Sequence, residues 1–492
     1  MKIKIENFVD KIKPNTERFK SIILVILFCA VLVLSSVYIV MTYEETIDSG
    51  SMINVNSMIF MSDKASMPNT MSDSMLKVTP SFIGYKYDSV TKGIIGNRNI
   101  IDSIYSVFTE QIELYLGKEA ECIVYSEHEG NMFLNKCLNS EKFVYFKFHN
   151  AWVSSMLRAY TNYGESSDLT EFPKGEVLTV SEILLSYYLD QWRFITIDAN
   201  GTVAEYKLEK PLEDFDIIWL SAYNENKSFI DFEFGANAKN EAHGYKFAST
   251  AIISNDTAFA KYFSAAVPNN LVMVESSIQD KYAELFFINL DRSGQFDSNE
   301  SKDYIDSHGT LSLSSEGTLT YSASDNDGGI SLSNYLGYEN YSENYTVDDI
   351  LRASARLLYN LDSVNNLAFG GTAYMSLNNV TVSGSNVVVE FGYYCDNIAI
   401  AGNDGVRTPA ARIVCDGKKI ISVSILSVTF IENIEKSPMI PQNWVLEQLS
   451  ASKGESIKDK ALTVNPLYVL PKISDASDES SYVHAEWAYS AK

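Results

Sequence analysis

The hydrophobic pattern of the chain begins with an uncharged, almost wholly apolar run, Ile22–Val40. As an α-helix rising about 1.5 Å per residue, this run would span roughly 28 Å, which is close to the hydrocarbon thickness of a bilayer. We therefore predict a membrane-spanning helix over residues 21–43. A cleaved signal peptide is the alternative, but signal sequences have apolar cores of about 7–15 residues and end at a small-residue cleavage site, and this run shows neither feature.

The charges on the two sides of this run differ in sign. Residues 1–20 contain six Lys or Arg against three Asp or Glu, whereas Glu44 and Glu45 follow the run and no Lys or Arg occurs before Lys64. The excess of Lys and Arg normally marks the cytoplasmic side of a membrane helix. The pattern thus predicts a single-pass protein of the cell membrane, with residues 1–20 as a cytoplasmic tail and residues 44–492 extracytoplasmic.

Three small residues within the predicted membrane helix are candidates for contact with a partner helix. Small side chains let helices approach closely in lipid, which singles out Ala30, Ser35 and Ser36. The alternative is a monomeric anchor in which both serine hydroxyls bond to the preceding turn of their own helix.

Beyond the anchor, an aperiodic segment is followed by segments whose hydrophobic pattern is typical of a helix or of strands. Residues 44–77 show little periodicity, and we predict a juxtamembrane linker there. Apolar positions three and four apart predict an amphipathic helix over Asn99–Leu116. Glu121–Tyr125 and Met132–Cys137 are predicted to form two strands of a hairpin. We assign residues 78–165 to an N-terminal α+β domain.

Two similar capping patterns are predicted to open later helices. Thr179 is followed by Glu182, and Thr346 is followed by Asp349, each three residues on and each before an apolar run. In such a capping box the hydroxyl and the carboxylate each bond to a backbone N–H at the start of a helix. The first helix is predicted to extend to about Leu189. The repeated pattern is consistent with an internal duplication or with the general frequency of capping boxes.

A Ser-, Asp- and Gly-rich stretch, Ser314–Gly329, marks a predicted domain boundary. Residues 166–330 are therefore assigned to a central α+β domain and residues 331–492 to a C-terminal α+β domain. In the latter, Asp416-Gly417 lies between two predicted strands, a strong signal for a type I′ hairpin turn. The predicted fold class is α+β, with a transmembrane helix followed by two to three units containing antiparallel sheets.

Four cysteines lie beyond the anchor, on the side where disulfides can persist. The predicted hairpin would align Cys122 with Cys137, and Cys395 and Cys415 fall on two strands of another predicted sheet. Two disulfides, Cys122–Cys137 and Cys395–Cys415, are therefore possible. The alternative is four thiols without a bridge.

Composition narrows the class of partner. The formal charge is −24, and residues 1–20 contribute +6 − 3 = +3, so the remainder carries −24 − 3 = −27. A surface this acidic argues against binding nucleic acid and against docking on anionic lipid or polymer.

A search for catalytic or metal-binding patterns gives no site. The histidines form no H-x-x-x-H pattern and the cysteines form no C-x-x-C pattern, so no metal or cofactor is predicted. Two S-x-x-K matches, Ser74–Lys77 and Ser450–Lys453, would suit a penicillin-binding serine acyltransferase. The K-T-G motif of that class is absent and Ser74 lies in the predicted linker, so we reject that assignment. Because no catalytic pattern is found in the sequence, we predict that the protein is not an enzyme.

Several short segments of the chain are similar to those of a known family. They are Lys20–Leu24, Leu34–Ser36, Thr42–Tyr43, Lys77–Pro80 and Val387–Tyr394. In these segments the chain resembles the YycH family and its relative YycI, membrane-anchored regulators of the WalK/WalR two-component system of Gram-positive bacteria. The resemblance implies a C-terminal domain of YycI or PepSY-like fold, no catalytic residues, and a sensor histidine kinase as partner, with a sister YycH/YycI-type protein as a further one.

The function expected from these observations is that of an extracytoplasmic regulatory protein, which modulates a sensor histidine kinase in cell-envelope signalling through helix and ectodomain contacts. Two alternatives belong to other classes. One is an extracytoplasmic cell-wall enzyme with a site assembled from scattered acids. The other is a PepSY-type binding module that inhibits a protease.

Overall fold

A computed structural model describes residues 71–87, 90–117, 119–161, 179–208, 228–237, 245–254, 256–324, 328–336, 345–365, 373–402, 409–453, 461–470 and 483–491. The predicted cytoplasmic tail, the predicted membrane helix and the predicted linker up to residue 70 lie outside these residues. Among the residues described, no helix is both long and apolar enough to cross a membrane.

The first eight strands in sequence form one sheet, in which every pairing is antiparallel. They are β1 (Phe82–Tyr87), β2 (Val90–Ile94), β3 (Glu121–Val124), β4 (Lys142–Val153), β5 (Thr179–Tyr188), β6 (Gln191–Ile197), β7 (Val203–Lys207) and β8 (Phe229–Asp231). Their spatial order is β3-β7-β6-β5-β4-β1-β2-β8, which places the long strand β4 between β1 and β5 near the centre.

Thirteen of the remaining described strands form a second sheet. Its path runs β10-β24-β20-β19-β21-β22-β16-β15-β14-β13, and β17, β18 and β25 pair beside it. Two further pairs, β9 with β11 and β12 with β23, lie apart from it. These strands are β9 (Glu233–Phe234), β10 (Lys246–Phe247), β11 (Ile252–Ile253), β12 (Phe259–Pro268), β13 (Gly294–Asp297), β14 (Ser301–Ile305), β15 (Gly309–Ser314), β16 (Thr318–Ala323), β17 (Ile330–Ser331), β18 (Ala373–Ser383), β19 (Asn386–Cys395), β20 (Ile398–Ala401), β21 (Ala411–Cys415), β22 (Lys419–Leu426), β23 (Val428–Pro438), β24 (Ala461–Val469) and β25 (Ala485–Ala491).

Helices are fewer than strands in the described part of the chain. A 3-10 helix spans Met71–Leu76 and another spans Gly235–Asn237. The α-helices are α1 (Arg98–Tyr115), α2 (Glu127–Leu138), α3 (Ser154–Thr161), α4 (Ser276–Leu285), α5 (Ser333–Leu336), α6 (Val347–Asn365) and α7 (Gln442–Lys453).

The predicted α+β fold class is wrong. The described part of the chain is mostly β, with 48% strand and 26% helix, and it is organised as two large sheets rather than as a series of α+β units. One continuous hydrophobic core runs through both sheets, from Met75 to Trp487. The domain boundaries predicted near residues 165 and 330 stay predictions.

Two of the errors have a local physical cause. The segment beginning at Thr179 is strand β5, not a helix, because Ile183–Leu185 is a continuous apolar run that is buried between β4 and β6. Conversely, Met132–Cys137 lies in helix α2. Ser126 caps that helix, since its Oγ accepts from the Glu129 N–H and donates to the Glu129 Oε2 at 2.7 Å.

Other predictions from the sequence are confirmed. Helix α1 matches the predicted amphipathic helix, with Ile101, Ile104 and Phe108 among its buried residues. The second capping box also forms: the Asp349 N–H donates to Thr346 Oγ1 at 3.1 Å, and the Thr346 N–H donates to Asp349 Oδ2 at 2.9 Å.

The hairpin predicted at Asp416-Gly417 joins β21 to β22, but its turn is not type I′. Gly417 has a φ of 88°, whereas Asp416 is not among the described residues with positive φ. The Asp416 carboxylate instead accepts from the backbone N–H groups of Lys418 and Lys419, at 2.9 and 2.7 Å. The Asp416 side chain thus stabilises the turn by bonding to the backbone two and three residues on, as Asp commonly does in turns.

Candidate functional site

A cleft lies where the C-terminal half of β4 in the first sheet meets β18 and the β19–β20 turn of the second. The chain enters the described fold beside it, at Lys77. Its empty volume is about 330 Å³, which includes the open mouth. The lining residues are Lys77, Val78, Thr79, His149, Asn150, Trp152, Tyr374, Ser376, Leu377, Tyr394 and Asn397.

Hydrogen bonds across the cleft join residues that are far apart in sequence. His149 Nε2 lies 2.6 Å from the Asn397 carbonyl oxygen, and the Asn150 amide donates to the Asn378 carbonyl at 2.6 Å. The Tyr394 hydroxyl donates to the Asn378 side-chain oxygen at 2.9 Å. The first two bonds connect β4 to β18 and to the β19–β20 turn, and the third joins β19 to β18 within the second sheet, so together they fix the relative position of the two cleft walls.

Asn397 occupies the most constrained position in this network. Asp396 and Asn397 have φ values of 49° and 65°, and together they form the two-residue turn between β19 and β20. Asp and Asn tolerate the left-handed region better than other side-chain-bearing residues, which explains why these two types stand in a tight hairpin turn. Asn397 lines the cleft and is buried, with 2% of its surface exposed.

The two amide atoms of Asn397 have different surroundings. Its Oδ1 accepts from the Tyr374 hydroxyl, whose pKa is raised far above the usual range by burial, so the hydroxyl remains a donor. Its Nδ2 is fully buried and has no hydrogen-bond partner among the described residues. A buried donor without an acceptor is rare in folded proteins and costs free energy.

Positive charge gathers at one side of the cleft. Lys77 Nζ lies 4.0 Å from Asp102 Oδ1, and Arg98 Nε lies 3.5 Å from Asp102 Oδ2. The Arg98 guanidinium also stacks over the Tyr374 ring, 3.8 Å from its centroid. Burial lowers the pKa of Lys77, with Asp102 acting in the opposite direction. A single carboxylate is thus shared by two cations.

A second charged group adjoins the cleft at the same turn. Asp396 Oδ2 lies 3.6 Å from Lys261 Nζ. Burial raises the pKa of Asp396, although the charges of Lys261 and Lys436 oppose this shift. Burial lowers the pKa of Lys436, whose Nζ donates to Gly96 O at 3.2 Å and Ser228 Oγ at 2.5 Å. Lys261 and Lys436 thus place positive charge beside Asp396, in a chain whose formal net charge is −24.

The segment Met71–Ser81, here called the strap, borders the cleft. Its residues 71–77 are the last part of the predicted linker, and Met71–Leu76 forms a 3-10 helix. The Ser376 hydroxyl on β18 lies 3.3 Å from the Met75 carbonyl oxygen. The Val78 N–H donates to Tyr160 O at 2.9 Å, and the Ser81 N–H donates to Lys147 O at 2.7 Å. These bonds hold the strap against both walls of the cleft.

The structure forms neither of the disulfides that were considered possible: Cys122, Cys137, Cys395 and Cys415 are all thiols. Cys137 lies in helix α2, so the hairpin that would have aligned it with Cys122 does not exist. Cys415 pairs with Val387, eight residues from Cys395 along β19. At about 3.3 Å per residue, this separates the two cysteines by roughly 26 Å, far beyond the reach of a disulfide.

The other predicted site residues give no site in the described structure. The candidates for helix contact, Ala30, Ser35 and Ser36, lie outside the described residues. Among the residues that are described, no group of three or more His, Cys, Asp and Glu could hold a metal ion. In the sequence, Lys77 belongs to an S-x-x-K match with Ser74 and to the segment Lys77–Pro80 of the family resemblance. The structure places Ser74 on the Met71–Leu76 helix and Lys77 directly after it.

Sequence reasoning missed the cleft, and one signal could have indicated part of it. The dipeptide Asp396-Asn397 between two apolar strands is typical of a hairpin turn with two left-handed residues. The pairing of that turn with His149 could not be inferred, because the two positions are 248 residues apart.

Comparisons with known proteins identify no relative. No protein-family model matches the chain, and no curated protein and no solved structure matches it either.

Proposed function

We propose that this protein is a membrane-anchored extracytoplasmic regulator, which receives a signal in the cleft of its ectodomain and passes it to a sensor histidine kinase in the membrane. The anchor is the apolar run Ile22–Val40, with basic residues before it and acidic residues after it. The choice of a histidine kinase as the partner, and of a sister YycH/YycI-type protein as a second one, comes from the resemblance of Lys20–Tyr43 to the YycH family.

The observation that carries the proposal is the docking of the strap. The strap is the part of the described chain nearest to the predicted anchor, and it is bonded to β4 through Lys147 and to β18 through Ser376. Lys77 belongs to the strap and also lines the cleft. A change at the cleft therefore alters groups that contact the strap directly.

In physical terms the regulator acts by shifting a balance between two states of the kinase. A protein can bias such a balance only if it contacts the two states with different free energies. Ala30, Ser35 and Ser36 are the candidate contact residues within the membrane, and the docked strap couples them to the ectodomain.

The test is deletion of the gene with complementation, read as the phosphorylated fraction of the WalR-type response regulator. We expect deletion to change this fraction, and the full-length chain to restore it. An unchanged fraction would contradict the proposal. If the composition of the cell-wall peptides changes instead, the wall-enzyme alternative is supported.

A further inference from the structure

We propose that strand β13, at the edge of the second sheet, pairs with β13 of a second copy of this chain, so that the protein forms a two-fold symmetric dimer. The pairing is antiparallel and centred on Phe296, which lies directly opposite Phe296 of the second copy. This inference goes beyond the proposed function and does not depend on it.

The first observation is a strand edge that is open. β13 is the last strand of the second sheet and pairs on one side, with β14. The Ser298 N–H donates to the Ser301 carbonyl at 2.8 Å, so by the alternation of an antiparallel ladder Phe296 also directs its backbone bonds to β14. The N–H and C=O groups of Gln295 and Asp297 therefore point outward, and they have no hydrogen-bond partner among the described residues.

The second observation is an exposed apolar surface at the same edge. Phe296 is 61% exposed, and its ring lies 3.4 Å from where a Cβ on Gly294 would stand. Gly294 pairs with Ile305 on β14, which is 41% exposed, so Phe296 and Ile305 lie on one face of the sheet. A second β13 would bring its own Phe296 against this surface, in a non-hydrogen-bonded pair where facing side chains are close.

The edge also lacks the features that usually prevent such pairing. Edge strands are commonly protected by Lys, Pro or a β-bulge. β13 contains neither Lys nor Pro, and its register with β14 shows no bulge. All four of its residues are exposed. The strand is therefore able to accept a further strand along its whole length.

The third observation identifies the occupant as a second copy. Arg292 precedes β13 and Glu300 follows it, both exposed and both four residues from Phe296, since 296 − 292 = 300 − 296 = 4. In an antiparallel pair centred on Phe296, the Arg292 end of each copy meets the Glu300 end of the other. Gln295 likewise lies opposite Asp297, so an amide donor faces a carboxylate. The edge is thus complementary in charge to itself.

Two other registers would use the same outward backbone groups. Centring the pair on Asp297 places two Asp297 carboxylates opposite each other, and like charges directly opposite destabilise a strand pair. Centring it on Gln295 places Phe296 opposite Gly294, so the aromatic pair is lost. The register centred on Phe296 is therefore the one that the side chains favour.

The first experiment is sedimentation equilibrium of the full-length protein in density-matched non-ionic detergent. We expect a reversible monomer–dimer equilibrium without larger species, because pairing around a two-fold axis closes. Arg292→Glu and Glu300→Arg should each weaken the dimer by at least about fivefold, since each brings like charges together at both ends of the pair. The double variant has opposite charges again and should dimerise as the wild type does.

The second experiment tests the register by cross-linking. In Phe296→Cys the two introduced residues face each other with Cα atoms about 4.5 Å apart, so mild oxidation should give a covalent dimer. In Gly294→Cys, the matched control on the same face, they are offset by four residues or roughly 13 Å and should not cross-link. The native cysteines are present in both variants, so the difference between the two reports the introduced thiols.

Thermal unfolding of each variant shows whether it has folded, and if one set of variants does not fold, the other experiment decides. The proposal is overturned if the wild type is monomeric up to about 0.1 mM, which would leave the edge to a segment of another protein. It is also overturned if single charge reversals leave the dimer unchanged or the double variant dimerises no better than they do. Equal cross-linking of Phe296→Cys and Gly294→Cys, or oligomers larger than a dimer, would contradict it as well.

Discussion

Lys147 on β4 donates its Nζ to the backbone carbonyl of Val464 on β24 at 2.9 Å, and this bond ties the first large sheet to the second. Lys147 is 7% exposed. Its own carbonyl accepts from the N–H and the hydroxyl of Ser81 at the end of the strap. One residue of the first sheet thus contacts both the second sheet and the strap.

We expect Lys147→Ala to lower the free energy of unfolding by about 3 kcal/mol, because it removes a buried four-carbon stem and leaves the Val464 carbonyl without this donor. The measurement is urea unfolding followed by circular dichroism. Lys142→Ala, on the same strand but only half-buried, is the control and should cost at most about 1 kcal/mol. Equal losses in both variants would contradict this role of Lys147.

The mass of the alkylated protein tests whether the four cysteines are thiols, as they are in the structure. In protein unfolded without a reductant, we expect iodoacetamide to alkylate Cys122, Cys137, Cys395 and Cys415, because all four are thiols. In the folded protein Cys122 should react first, since it is half-buried and the other three are buried. A cysteine that reacts only after reduction would show a disulfide that the structure lacks.

Buried thiols also predict how stability depends on pH. Burial raises the pKa of Cys137 and of Cys415 to about 12, from 9.0. The unfolded chain therefore loses these protons at a lower pH than the folded chain does. The associated stabilisation is fully present below pH 9 and is lost as the pH rises from 9 to 12.

Cys415→Val isolates one of these two thiols. We expect the fall in the free energy of unfolding between pH 9 and pH 10 to be shallower than in the wild type, by at most about 1.4 kcal/mol per pH unit. The measurement is urea unfolding at a series of pH values, in which the slopes and not the absolute stabilities are compared. Identical slopes would show that Cys415 titrates alike in both states.

Local patterns in the sequence gave correct predictions where the neighbouring residues decide the structure. Helix α1 and the capping box at Thr346 are set by contacts within a few residues, and both form. The box at Thr179 failed because β4 and β6 lie on its two sides, and long-range pairing overrides the local preference. The sequence could not reveal which strands would become neighbours.

The candidate site was beyond prediction for the same reason. Its walls come from β4, β18 and the β19–β20 turn, so it exists only once strands more than two hundred residues apart have been brought together. Tyr374 and His149 belong to no motif. Their roles follow from the register of the sheets, which one sequence does not specify.

The strap should act as the link between cleft and anchor. Ser376→Ala removes a hydroxyl that contacts the Met75 carbonyl and should loosen the strap at a cost of about 1 kcal/mol. When the signal is removed or added, we expect the phosphorylated fraction of the response regulator to change less in this variant than in the wild type. The level of the protein should be unchanged. Ser383→Ala, at an exposed position of the same strand, should behave as the wild type does.

The contact between the membrane helix and the kinase is tested by replacing Ile22–Val40 with a polyleucine helix of the same length and measuring the phosphorylated fraction of the response regulator. The chain would still be anchored by an apolar helix, but Ala30, Ser35 and Ser36 would be lost as contacts. We expect that the swapped chain does not restore the wild-type fraction in the deletion strain, although it reaches the same level in the membrane. Full restoration would contradict the claim that the helix contacts the kinase.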